Sequence, residues 1–237
     1  MALPKLTTPT YELEVPSTDE KIKYRPFLVK EEKILMIAME TEEQTAIINA
    51  VKDIVSACTF DALDVSKMPM FDVEYVFLNI RAKSVGEVSK IKLRCPDDKK
   101  TFVATEIDLT EVKVQVDDGH TNKIELTEDM GIIMQYPTID LFQNAGVDAI
   151  TAENMLDVIA SCILQIYEKG GEVVYEAKDS TKKELNDFIE SLNSKQFSKV
   201  RSFFEDMPRL SKEVTWTCPK CEKSTPLMLQ GIDAFFG

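Results

Sequence analysis

The residues best suited to chemistry are Cys218 and Cys221, in Trp216-Thr217-Cys218-Pro219-Lys220-Cys221, and Cys95, in Leu93-Arg94-Cys95-Pro96-Asp97-Asp98. A Cys-Pro-x-Cys turn after a short β-rich run is one half of a zinc ribbon. The tight turn aims both sulfurs at one tetrahedral metal, and a second such turn supplies the other two ligands. The upstream turn reads Cys-Pro-x-Asp, so the expected ligand set is Cys95, Asp98, Cys218 and Cys221 around one zinc ion. Carboxylate is an acceptable zinc ligand, and a site short of one thiolate also fits hairpins that kept their shape and lost the metal. A redox Cys-x-x-Cys pair is disfavoured, because that chemistry wants the pair at a helix N-terminus. Here Glu222-Lys223-Ser224-Thr225-Pro226 reads as a turn back into a strand. The echo extends downstream to Ile107-Asp108 and Ile232-Asp233. If the turns pair, residues 99–217 form an insertion clipped at both ends.

Other chemistry finds little support. There is one histidine, His120, in Asp117-Asp118-Gly119-His120, which reads as a hairpin turn with a solvated imidazole. Nucleophilic triads therefore lack a base, and eight glycines include no phosphate-binding loop. Catalysis is the weakest reading.

Composition narrows the class. At 237 residues the chain can bury a sizeable core, and 44% hydrophobic with 29% charged residues is ordinary for a globular protein. No apolar run approaches a membrane span, and Met1-Ala2-Leu3-Pro4-Lys5 does not read as a signal peptide. Five cysteines, two of them on helical apolar faces, fit a reducing cytosol better than a disulfide framework. The net charge of −13, from 28 basic and 41 acidic residues, opposes nucleic-acid binding. Lys90, Lys92, Arg94, Lys99 and Lys100 are a local exception, read as a solvated ribbon edge. They leave a zinc-ribbon nucleic-acid-binding regulator as a lesser alternative.

The elements that must position the cysteines are α+β: two helical blocks around a small antiparallel β region with a zinc-ribbon-like pair of Cys-Pro turns. The expected segments are 1–88, an N-terminal hairpin with helices; 89–136 with 209–237, the β and ribbon-like region; and 137–208, a helical insertion. Tyr11 to Val15 and Lys21 to Val29 predict the hairpin, with Arg25-Pro26 marking a bend. Lys30 to Met39 is apolar almost all round from Ile34, which predicts burial on several sides. Thr41-Glu42-Glu43-Gln44 reads as a capping box ahead of Ile47, Val51, Ile54, Val55 and Cys58. Pro69 opens a helix with Phe71, Val73, Val76, Phe77 and Ile80 on its apolar face, ended by Val85-Gly86. Alternation then predicts short strands from Val88 to about Tyr136. Thr151 caps a helix carrying Met155, Ile159, Cys162, Ile163 and Ile166; Gly170-Gly171 breaks it before the strand Val173-Val174-Tyr175. Thr181-Lys182-Lys183-Glu184 is a second capping box, and a last helix with Phe197, Val200, Phe204 and Met207 stops at Pro208. The Phe235-Phe236 tail either folds back onto the body or docks onto a partner.

Three stretches carry a family resemblance: Leu3-Pro4-Lys5-Leu6-x-Thr8-Pro9-x-Tyr11-Glu12-Leu13, Arg25 to Lys33, and Tyr75 to Glu87. With Cys95-Pro96, Cys218-Pro219-Lys220-Cys221 and Ile232-Asp233-x-Phe235-Phe236, they resemble the T-even-type phage baseplate hub assembly proteins over most of the chain. The resemblance implies a non-catalytic protein of the host cytoplasm that builds the hub of a contractile tail. It also implies partners among the tape-measure or hub proteins, held soluble until assembly. A permanent structural subunit of the virion baseplate is the alternative. Asp98 departs from the paired cysteines of a full ribbon, which bears on the metal rather than on the family.

Overall fold

The computed structural model describes residues 6–41, 43–97, 99–141, 154–168 and 173–235. In chain order these form β1 (Tyr11–Glu14), β2 (Lys21–Tyr24), α1 (Val29–Glu40), α2 (Gln44–Cys58) and α3 (Met70–Val85). There follow β3 (Val88–Arg94), β4 (Phe102–Asp108), β5 (Lys113–Gln115), β6 (Lys123–Glu125) and β7 (Met130–Met134). The rest are α4 (Met155–Ser161), β8 (Ile163–Glu168), β9 (Val174–Glu176), α5 (Lys182–Glu190), α6 (Ser194–Glu205), β10 (Arg209–Thr217) and β11 (Ser224–Gln230). Among the described residues, no helix is long and apolar enough to cross a membrane.

The chain divides into two compact units. The first comprises residues 1–65, 71–115 and 209–237; the second comprises 66–70 and 116–208. These boundaries group the N-terminal hairpin and helices with the ribbon-like region, where the sequence suggested separate segments.

In the first unit, β3 and β4 pair as an antiparallel hairpin from Val88–Asp108 to Arg94–Phe102. The β3 alternation is regular: Ser89, Ile91 and Leu93 are buried, and Lys90, Lys92 and Arg94 are exposed. β10 pairs with β11 on one side and with β5 on the other. The core includes Leu78 of α3, Ile91, Leu93, Ile107, Trp216 and Leu229. Phe235 joins it, fully buried, and its carbonyl accepts from the Ser89 hydroxyl at 2.7 Å. The described part of the tail therefore folds back; Phe236 lies outside the described residues.

Helix α1 departs from expectation. Only Glu31 and Ala38 are buried, seven residues apart on one face. Ile34, Met36, Ile37 and Met39 are 44, 58, 52 and 59% exposed. An all-round apolar pattern shows what a helix could bury, whereas burial requires elements to cover it. The Thr41 capping box is also corrected. Thr41 closes α1 by donating from its hydroxyl to the Ala38 carbonyl, and α2 begins after Glu43 without a side-chain cap. Glu42 lies outside the described residues.

In the second unit, β6, β7, β8 and β9 form a four-stranded antiparallel sheet. Its core draws on Ile132 and Met134 of β7, Cys162, Ile189 of α5, and Val200 and Phe203 of α6. The helix expected to run through Ile166 stops at Ser161, because Ile163 to Glu168 pair with β7 as a strand. Thr151 and Gly170-Gly171 lie outside the described residues. The second capping box forms: Thr181 Oγ1 accepts from Glu184 N–H at 3.2 Å, and Glu184 Oε2 accepts from Thr181 N–H at 2.7 Å. Asp117 to His120 make a turn but no hairpin, since β5 pairs with β10 whereas β6 pairs with β7.

Candidate metal centre

The two Cys-Pro turns close two different hairpins, β3–β4 and β10–β11, and these belong to separate sheets. Both are built alike. Proline after each cysteine fixes φ and starts the turn. Lys99 N–H donates to the Cys95 carbonyl at 3.0 Å, and Glu222 N–H to the Cys218 carbonyl at 2.9 Å. Lys99 and Glu222 each adopt a left-handed conformation, φ 54° and 56°. Each cysteine N–H then returns to the departing chain: Cys95 to the Thr101 carbonyl at 2.8 Å, Cys218 to the Lys223 carbonyl at 3.1 Å.

The turns bring Cys95, Cys218 and Cys221 together, with their sulfurs all within 4.8 Å of one another. Cys95 Sγ and Cys221 Sγ lie 3.8 Å apart, and none of the cysteines is in a disulfide. Cys95 and Cys218 are buried, Cys221 half-buried. The N–H groups of Cys221 and Lys220 point at Cys218 Sγ and hold that thiol below its usual pKa. At Cys221 the Lys223 N–H pulls the other way, but burial and the neighbouring sulfurs raise it. Such a group of three thiols could bind a metal.

Asp98, the fourth residue of the expected set, lies outside the described residues. Its neighbour Asp97 was not singled out by the spacing. Its Oδ2 is 3.8 Å from Cys221 Sγ and 3.1 Å from Lys223 Nζ, which ties the two turns together. The other cysteines are elsewhere: Cys58 and Cys162 are buried core residues, and burial pushes their thiols up to about 11 and about 12.

His120 belongs to the second unit and is more enclosed than a solvated loop tip. Its Nε2 lies 3.0 Å from the Tyr136 hydroxyl, and its ring packs on Tyr136 and Phe203 at centroid distances of 5.7 and 5.3 Å. Burial lowers its pKa. The open cleft beside it, about 330 Å³, also takes in Lys199, whose ammonium donates to the Glu125 carbonyl at 2.5 Å. Tyr136 and Phe203 are distant in sequence from His120, so no local pattern signalled this clamp.

A family model described as "T4 bacteriophage base plate protein" matches residues 8–237. Neither the curated proteins nor the solved structures contain a match.

Proposed function

We propose a function from one premise: this chain belongs to the T4 bacteriophage base plate protein family. It serves the baseplate through protein contacts rather than catalysis. In this reading it is an assembly factor for the tail hub, present in the host cytoplasm, that keeps the tape-measure protein or another hub protein soluble until it is built in.

The observation that supports this is the apolar surface α1 leaves in solvent: Ile34 with Ile37 on one side and Met36 with Met39 on the other. Ile34 and Ile37, one turn apart, form one solvent-facing apolar strip that suits an amphipathic helix of the partner, which would add its own apolar stripe and exclude water. The chain's weak catalytic inventory points the same way. The single histidine is engaged by an aromatic clamp, and the buried thiols of Cys58 and Cys162 have raised pKa values that suppress the thiolate.

The test is co-expression with the tape-measure and hub proteins of the same phage, followed by affinity capture through this chain at modest salt. Recovery of one of them supports the reading, and recovery of none rejects the holding role. The family description itself favours a second reading, a permanent subunit of the baseplate. Mass spectrometry of purified virions separates the two: stoichiometric presence marks a subunit, absence a transient factor.

A further inference from the structure

We propose that Cys95, Cys218 and Cys221 hold one zinc ion that crosslinks the β3–β4 and β10–β11 hairpins. This inference does not rest on the baseplate role.

Geometry comes first. A zinc–sulfur bond of about 2.3 Å in a tetrahedral site places neighbouring sulfurs about 3.8 Å apart. Cys95 Sγ and Cys221 Sγ are separated by 3.8 Å, and all three sulfurs fit within 4.8 Å. That is the spacing of ligands around a shared ion, well beyond a disulfide bond length of about 2.0 Å. Three thiolates form a soft donor set, which selects zinc over magnesium or calcium.

The second observation is the duplication of the turn. Cys95 and Cys218 each open a Cys-Pro turn closed by the same backbone bond, and each turn holds a non-glycine residue at positive φ. A left-handed conformation crowds Cβ against the following carbonyl in any residue but glycine, Lys99 and Glu222 included. Such strain persists where the surroundings over-determine it, and it clusters at functional sites. The matching turns carry sulfurs from two chain segments, 126 residues apart at Cys95 and Cys221, to within 3.8 Å of each other.

The two hairpins share no ladder hydrogen bonds, because their strands lie in separate sheets. They meet through the core that contains Cys95, Cys218, Trp216 and Leu93. An ion bound to both converts that packing contact into a covalent-strength link and closes a long loop, so its binding energy becomes folding energy. The role is structural.

The experiment uses the full chain, purified reduced, equilibrated with zinc and freed of excess ion. The expected result is one zinc per chain by elemental analysis, retained in Cys58→Ala and lost in Cys95→Ser and Cys218→Ser. Cobalt should replace it with the thiolate charge-transfer band and intense visible bands of tetrahedral Co(II), and a chelator should lower the wild-type Tm. Should the serine variants fail to fold, the wild type still decides. Zinc should slow the reaction of three thiols with a disulfide reagent, and a chelator should restore it. Substoichiometric zinc, a weak octahedral cobalt spectrum, or thiol reactivity and Tm indifferent to zinc and chelator would overturn the proposal.

Discussion

Lys99 and Glu222 share one backbone conformation, φ 54° and 56°, each four residues after the cysteine that opens its turn. Neither is glycine, so both turns carry the crowding between Cβ and the following carbonyl that left-handed L-residues experience. Glu222→Gly removes the crowding but loosens the unfolded chain, and the two effects nearly cancel. Glu222→Val adds a β-branched side chain at the same φ. Chemical denaturation should place the glycine variant within about 0.5 kcal/mol of wild type and the valine variant about 1–2 kcal/mol below it. Equal losses would mean that the conformation at 222 is relaxed in solution.

Asp98 is tested against Asp97. By sequence Asp98 stands where Cys221 stands in the second turn, three residues after the Cys-Pro cysteine. Asp97 instead pairs with Lys223 at 3.1 Å. If Asp98 completes the ligand set, Asp98→Asn should weaken zinc binding by at least about tenfold, since even groups behind the ligands contribute that much. Asp97→Asn should keep the tetrahedral cobalt bands, since it loses an exposed ion pair of little energetic value and a Cys221 thiol contact that a metal-bound thiolate no longer donates. Competition with a chromophoric chelator measures both. A spectrum altered by Asp97→Asn alone would transfer the assignment.

Much of the site was legible because its signals are local. Cys-Pro turns, the alternation through Ile91 and Leu93, and the matching approach to Cys218 each lie within a few residues. What failed depended on distant partners. Ile163 and Ile166 fit a helical face with Met155 and Ile159, yet pairing with β7 draws Ile163 to Glu168 into a strand. Helix α1 shows the converse: its pattern invites burial on several sides, and the described elements cover only the side of Glu31 and Ala38. The fixed positions of Tyr136 and Phe203 around His120 likewise depend on tertiary structure.

Two buried carboxylates of the first unit should titrate in opposite senses. Asp72 accepts from the Ser17 N–H at 3.1 Å and from the Ser17 hydroxyl; burial outweighs those bonds and raises its pKa. The folded state then holds the proton more tightly than the unfolded chain, so stability falls as pH climbs from about 4 through the raised value. At Glu31, burial opposes ionisation but is outweighed by bonds from Arg25, the Leu28 N–H and Lys30, which lower the pKa. Its contribution is complete above the usual glutamate pKa and is lost as pH falls through the lowered value. Denaturation series across pH should show Asp72→Asn flattening the upper slope and Glu31→Gln the lower one. Glu31→Gln should also cost about 3 kcal/mol at neutral pH, because Arg25 is left without its buried partner. An unchanged upper slope in Asp72→Asn would place that carboxylate in water.

The apolar side of α1 separates a binding role from a folding role. Ile34 and Ile37 lie one helical turn apart and both face solvent. With 44 and 52% of their surface exposed, these residues bury only about half of what a core isoleucine does, so Ile34→Glu with Ile37→Glu should lower the unfolding free energy by about 1 kcal/mol per site. The same double variant should lose capture of the tape-measure or hub protein, since two carboxylates would have to be desolvated against the partner's apolar stripe. A control pair outside the Ile34–Ile37 strip, Glu32→Ala with Lys33→Ala, should keep capture. Thermal unfolding and the co-expression pull-down together check this prediction. If the double glutamate variant unfolds several kcal/mol more easily, α1 is packed inside the free protein and its exposure is not a binding surface. If it remains stable and still captures its partner, the contact lies on another face of the chain.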